Sequence, residues 1–211
     1  MLYVFDWDGT LCNSLEKIVS CLRKAAELAG EPELCPDRAR QIIGLALPEA
    51  IETLFPNTSG HLRDAIADHY RSVFISDQTP TQLFAEAIET LNGLKQRGHR
   101  LAVATGKSRR GLDKNLNDTG LDGFFCATRC ADETVSKPDP TMLFQLLEEL
   151  ETEPQQAVMI GDTTFDLAMA EAAGMERIGV SFGSHSVQQL QAHNPALIID
   201  DLRELLSWQS T

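Results

Sequence analysis

No apolar run in these 211 residues approaches the roughly 18 that a membrane-spanning helix needs, so a membrane is not expected as a partner. Positive charge is also scarce. Eighteen Lys and Arg face 31 Asp and Glu, a formal charge of −13. A surface of that sign repels nucleic acid and anionic membranes, although basic groups that converge locally can still hold a small anion. Nor does Met1 open a secretory signal, because Asp6 and Asp8 interrupt the apolar start. The five cysteines (Cys12, Cys21, Cys35, Cys126 and Cys130) contain no Cys-x-x-Cys pair. Cys126 and Cys130 have no second pair or nearby His to complete a zinc site. Reduced, mostly buried thiols and a cytoplasmic location are expected. Repeats, low-complexity segments and disordered tails are missing as well, and no lysine stands between Lys24 and Lys95.

What is present is an ordinary globular composition, 43% apolar and 23% charged, in a chain long enough to bury a full core. An apolar run from Leu2 to Phe5 reads as a first strand. Further strands are expected at 101–106, 124–127, 157–160, 177–180 and 196–199, with helices at 85–97, 109–117, 141–150 and 165–173 between them. Strands alternating with helices of about ten residues indicate parallel βαβ units and a doubly wound, Rossmann-like α/β sheet. Between the first two strands the pattern is helical throughout, at about 14–28, 38–43, 48–54 and 62–75, broken by Pro36, Pro56, Asn57 and Gly60. A structureless crossover of that length is implausible. The spacing therefore predicts a catalytic core of residues 1–13 and 82–211, with residues 14–81 inserted as a helical cap.

Polar clusters stand at the carboxyl ends of successive strands. Asp6-Trp7-Asp8-Gly9-Thr10 follows the first, and Thr105-Gly106-Lys107-Ser108 follows the second. Lys137-Pro138-Asp139-Pro140 precedes a helix, and Gly161-Asp162-Thr163-Thr164-Phe165-Asp166 ends a later strand. Strand ends on one edge of a parallel sheet converge, so these groups can share one site. Asp6 and Asp8, two apart on an extended chain, can point the same way. Carboxylates gathered there repel unless a cation or a shared proton reconciles them. A hard cation with oxygen ligands, magnesium by default, suits such a cluster, while a threonine hydroxyl, turn amides and a lysine suit a phosphate dianion. Gly106-Lys107-Ser108 imitates the tail of a P-loop, but Leu101 occupies the position of the required first glycine.

In order, spacing and strand context these four clusters resemble the motifs of the haloacid dehalogenase-like phosphohydrolases. The likeness, from residue 2 to about 183, is to the branch with an all-helical cap that includes phosphoglycolate phosphatases. The resemblance implies an Mg²⁺-dependent phosphomonoester hydrolase acting on a small phosphorylated metabolite. Asp6 would be the nucleophile and Asp8 the general acid and base. An Asp6 oxygen, the Asp8 carbonyl and Asp162 would hold the metal, with Asp166 steadying its surroundings. Thr105 and Lys137 would hold the phosphoryl oxygens, assisted by turn amides such as those of Gly9, Thr10 and Gly106. Two positions depart from the family pattern: Gly106 stands where Asn is common, and Asn13 where Asp is favoured.

A sugar-phosphate mutase of the same superfamily would use the same acid-base aspartate, Asp8. A phospho-receiver signalling domain, the alternative outside enzymes, would lack the large helical insertion. Asp8 argues against a dehalogenase, and the missing cap lysine argues against Schiff-base phosphonate hydrolysis. Cap residues Leu45 and Glu49 are the expected specificity positions. Between Ala25 and Leu94 stand eleven acids and four bases. That balance disfavours a second phosphate, and with it bisphosphates and nucleotides, and favours a small monophosphate with a short or hydroxylated body, phosphoglycolate by resemblance. Lys107, Arg109 and Arg110 either guide substrate or lie on solvated surface. A monomer or a homodimer fits the sequence equally.

Overall fold

The computed structural model describes residues 1–209. Leu2, Tyr3, Val4 and Phe5 are buried on both faces of β1 (Leu2–Phe5), which is why the segment reads as a continuous apolar run rather than an alternating one. The chain then leaves the sheet for four helices: α1 (Leu15–Leu28), α2 (Pro36–Arg40), α3 (Leu47–Leu54) and α4 (Gly60–Ser76). Their apolar stripes close on one another. Leu15, Ile18, Leu22, Ile51 and Ile66 belong to a cluster drawn wholly from this region. Entry and exit run side by side: the Asn13 amide donates to the Gln82 carbonyl at 2.8 Å, and Cys12 forms an antiparallel bridge with Leu83.

From there strands and helices alternate: α5 (Ala87–Gln96), β2 (Arg100–Thr105), α6 (Arg109–Thr119), β3 (Ala127–Cys130), α7 (Thr141–Glu149), β4 (Ala157–Gly161), α8 (Thr164–Ala172), β5 (Glu176–Val180), α9 (Val187–Gln191) and β6 (Leu197–Ile199). The sheet order is β3-β2-β1-β4-β5-β6, with every pairing parallel. Alternation divides its two faces. Tyr3 and Phe5 pack with Leu91 and Leu94 of α5 and Leu112 of α6. Leu2 and Val4 pack with Leu143 and Leu146 of α7 and Met169 of α8. Among the described residues no helix is long and apolar enough to cross a membrane.

Three departures from expectation have a clear local cause. β3 begins at Ala127 rather than 124, because Phe124 and Phe125 pack against the core from the preceding turn and leave the less apolar Ala-Thr-Arg-Cys to pair at the sheet edge. α2 starts two residues early, with Pro36 at its first position, and stops at Arg40 so that the following loop can turn toward the sheet. α9 was not anticipated; five residues show too little periodicity, although Ser186 and Gln189 form a capping box there.

Candidate active site

Phe5 pairs with Val103 on one side and Ile160 on the other, so the chain leaves three neighbouring strands at one level. This is the edge where the sheet order reverses between β1 and β4, the usual place for a ligand crevice. Asp6, Thr105 and Asp162 stand there, all buried. Beyond Asp6 the chain turns tightly, the Gly9 amide donating to Cys12 O at 2.9 Å. Gly9 has φ +91°, and a Cβ on it would lie 2.3 Å from Asp162 Oδ2, so both the turn and the packing require glycine. Trp7, between the two acids, is fully buried and donates its indole N–H to Asn115 at 3.0 Å.

Lys137, 2% exposed, is the ammonium at the centre of the site. Its Nζ donates to Asp6 Oδ1 and to Asp166 Oδ1, each at 2.6 Å. Asp166 Oδ2 accepts from the Thr163 amide and hydroxyl, closing a capping box on α8. Asp162 Oδ1 accepts from Thr10 Oγ1 at 2.9 Å, and its Oδ2 accepts from the Ser184 amide at 2.7 Å. Asp6 Oδ2 alone among these oxygens is buried without a hydrogen-bond partner. Asp6, Asp162 and Asp166 each bring a carboxylate oxygen to within 4.8 Å of the others.

Three carboxyl groups thus meet one ammonium in a buried site, and with all three ionised two negative charges would be uncompensated. Burial pushes Asp6 well above the usual carboxylate range; Lys137 opposes this, while Asp166 and Asp162 add to it. Burial, then the charge of Asp166, raises Asp162 to about 7 against the Ser184 amide, Thr10 and Lys137. For Lys137 burial acts downward, but Asp166 and Asp6 outweigh it and hold the ammonium above its ordinary value. Excess negative charge with an orphaned carboxylate oxygen is what a hard divalent cation relieves, so the residues present fit Mg²⁺. Asp166, expected among the metal's surroundings, already uses both oxygens on Lys137 and Thr163, so direct coordination would displace one of these bonds.

Asp8 faces elsewhere. Ser14 Oγ donates to its Oδ1 at 2.5 Å, and Lys107 Nζ reaches both oxygens at 2.9 Å. Ser14 precedes α1 but forms no side-chain cap; its hydroxyl serves Asp8 instead. Of the three basic residues left open by the sequence, Lys107 is therefore a partner of Asp8. Arg109 is held by Glu133, Asp113 and Thr128 on the protein surface. Arg110 is exposed and lines the cavity described next. Thr105 Oγ1 accepts from the Lys107 amide at 3.2 Å, which leaves its own hydroxyl proton to donate.

A cavity of about 940 Å³ opens over Asp6, Asp8 and Thr105, roofed by the helical insertion; Leu45 and Glu49 both line it. The loop after α2 seats on the strand ends. Ala46 N donates to Ser136 Oγ at 2.9 Å, and Gln41 O meets the buried His185 ring at 3.1 Å. His185 Nδ1 accepts from the Thr164 amide, so its Nε2 is the protonated nitrogen facing Gln41. A Cβ on Gly106 would stand 2.4 Å from Gly44 O. Glycine in place of the more common Asn thus admits the cap backbone, and Gly106 acts there as a seat for the cap. Likewise the Thr10 hydroxyl and the Gly9 amide are engaged by Asp162 and Cys12 rather than turned toward a ligand. Ser14, Ser184, His185 and Tyr70 were missed as site residues. Only Ser14 gave a signal, as a helix start; the others are joined to the site by long-range folding. Tyr70 lines the cavity, and burial, with the charge of Asp8 adding, pushes its phenol well above the ordinary value.

A family model described as haloacid dehalogenase-like hydrolase matches residues 3–180. The chain is 34% identical over 210 residues to a probable phosphatase, IndB, of Dickeya dadantii, covering 97% of this chain and 91% of that protein. It is 30% identical to a phosphoglycolate phosphatase of Agrobacterium fabrum, covering 97% and 90%. A crystal structure from Bacteroides fragilis, described as a haloacid dehalogenase-like hydrolase, superposes with a TM-score of 0.90 at 30% identity over 97% of this chain and 98% of that one.

Proposed function

The chain belongs to the haloacid dehalogenase-like hydrolase family, and on that premise we propose that it hydrolyses phosphomonoesters of small metabolites through an aspartyl-phosphate on Asp6. The observation that carries the reading is the orphaned Asp6 Oδ2, a buried carboxylate oxygen with no hydrogen-bond partner on a residue that lines the cavity. A carboxylate left bare in this way is available as a nucleophile or to a cation, and both uses belong to phosphoryl transfer.

An Asp6 oxygen attacks phosphorus in line, the phosphorus–oxygen bond to the leaving group breaks, and Asp8 donates the proton that the departing alkoxide needs. Asp8 then takes a proton from the water that attacks the acyl-phosphate, so inorganic phosphate leaves and Asp6 is restored. Asp8 suits this exchange because it lies outside the three-carboxylate cluster, on the cavity side, where Ser14 and Lys107 fix its orientation. Lys137, fixed by Asp6 and Asp166, and the free Thr105 hydroxyl proton are the groups that would hold phosphoryl oxygens. Mg²⁺, held by Asp6, Asp162 and the Asp8 carbonyl with Asp166 beside them, would neutralise phosphate charge during transfer. The roofing helices keep bulk water from the acyl-phosphate. Five free cysteines suit a reducing compartment, and this reading assumes the cytoplasm.

The test is phosphate release from a panel of phosphorylated metabolites with Mg²⁺ present, with excess chelator, and with Asp6→Asn. Mg²⁺-dependent release that Asp6→Asn abolishes is expected. Full activity in excess chelator would contradict the metal assignment, and turnover by Asp6→Asn would contradict the nucleophile.

A further inference from the structure

The phosphoryl end of the site needs little of the cavity. Its volume of about 940 Å³ lies near the top of the ~300–1,000 Å³ range of clefts that enclose drug-sized ligands. A two- or three-carbon phosphate would leave most of that space to water. The wall supplied by the cap is mainly apolar, with Ile18, Leu22, Ile42, Leu45, Phe74 and Ile75 lining the space and Glu49 among them. Only a leaving group large enough to cover that wall gains from its desolvation.

Charge along the wall points the same way. Lys17 is paired with Asp77, Lys107 with Asp8 and Lys114 with Asp118. Arg71, also on the wall, is paired with Asp68, so among the described residues lining the cavity Arg110 is the one cation without a carboxylate partner, and no cluster of unpaired cations remains for a second anionic group. Phe74 is in cation–π reach of two of these ammonium groups, with Lys17 Nζ 4.9 Å and Lys107 Nζ 5.3 Å from its ring centroid. One turn earlier on α4, Tyr70 packs against Phe74 with centroids 5.6 Å apart. Tyr70 is half-buried and lines the cavity, and its hydroxyl makes no hydrogen bond among the described residues. A hydroxyl held by packing inside a substrate cavity, with no protein partner, is available to a ligand.

The geometry points to a phosphomonoester with a ring-bearing, uncharged leaving group. Its ring covers the cap wall beside Phe74, and a hydroxyl or carbonyl on it meets the Tyr70 hydroxyl, which makes Tyr70 a specificity-determining residue. This rests on the reading of the chain as a phosphomonoester hydrolase. It departs from the short substrate body expected from sequence, which the cavity would leave largely unfilled, and from the expectation, drawn from the cap's acidic balance, that nucleotides are disfavoured.

The experiment compares esters of unactivated alcohols, so that leaving-group chemistry does not dominate. Phosphoglycolate, glycerol 3-phosphate, pyridoxine 5′-phosphate and uridine 5′-monophosphate are assayed for phosphate release by the wild type, Tyr70→Phe and Leu45→Trp. The two ring-bearing esters should exceed the two small ones in kcat/KM by at least about tenfold. Tyr70→Phe keeps the ring contact with Phe74 and should lower the ratio of ring-bearing to glycerol ester by about tenfold, the loss of one hydrogen bond. Leu45→Trp, which fills the wall from another element, should lower the same ratio. Preference for phosphoglycolate, or a ratio unchanged in both variants, would overturn the inference while leaving the hydrolase reading intact. Release from none of the four, nor from any ester of the wider panel, would overturn the hydrolase reading itself.

Discussion

The excess negative charge at the strand edge should make the stability of this protein depend on divalent cation and on pH together. Without metal, burial raises both Asp6 and Asp162, and the charge of Asp166 adds to each, Asp162 reaching about 7. A raised carboxyl means that the folded chain holds protons the unfolded chain has released. The contribution is therefore complete below the unfolded value near 3.9 and is lost as pH rises through about 7. At about 1.4 kcal/mol per unit, the Asp162 shift alone amounts to roughly 4 kcal/mol as an upper bound. Bound Mg²⁺ would replace those protons. At a hundred times its Kd it should add about 2.7 kcal/mol, or roughly 5–11 °C in Tm for a chain of this size. The assay is thermal unfolding at pH 5.5 and pH 8, with Mg²⁺ and with chelator, for the wild type and Asp162→Asn. The metal-induced rise should be larger at pH 8, where no proton must be displaced. Asp162→Asn should be more stable than the wild type in chelator at pH 8 and should lose most of the Mg²⁺ response. An equal Mg²⁺ shift in wild type and variant, or none in the wild type at millimolar metal, would refute the reasoning.

Ca²⁺ should also raise Tm yet inhibit turnover, because its larger and more flexible shell misplaces the nucleophile; phosphate release in Ca²⁺ equal to that in Mg²⁺ would contradict this. Asp8→Asn should lose far more activity on alkyl than on activated aryl phosphates, and equal losses on both would remove it as the general acid. Lys137→Ala should reduce kcat/KM at least a hundredfold in a thermally checked sample. It should also cost about 3–5 kcal/mol of stability, since Asp6 and Asp166 lose their buried partner. Wild-type kinetics for that variant would return Lys137 to the status of a loop residue. Gly106→Asn should lower both Tm and kcat/KM by unseating Gly44, and crystallography or hydrogen exchange at residues 41–46 would report whether the loop has moved.

The sheet was legible because buried parallel strands are short apolar runs and helices of about ten residues separate them; β1, β2 and β4 fall where the runs lie. β3 slipped by three residues because aromatic content mimics a strand wherever Phe124 and Phe125 serve a turn. The acidic cluster was readable because local spacing and strand polarity set its members at one edge. Its partners were not. Nothing near Ser184 in sequence says that its amide will reach Asp162, and nothing in the run after Thr105 says that Lys107 will turn to Asp8 rather than outward. Such pairings depend on how distant segments pack. The size of the cavity was equally hidden, since it belongs to the gap between two surfaces and not to any one segment.

The antiparallel contact of residues 12 and 13 with 82 and 83 bears on how such a molecule can be rebuilt. Seen from the sheet, residues 14–81 are a loop whose ends already touch, so a short turn could replace all four helices, at a closure cost lower by roughly 2–3 kcal/mol. The insertion also carries an apolar cluster drawn from its own residues. The joint is thus a natural place for exchange between relatives: a different roof can be grafted there while the strand-edge chemistry stays in place. The graft must also bring a backbone that fits over Gly106, because that contact lies away from the joint and is set by both parts at once.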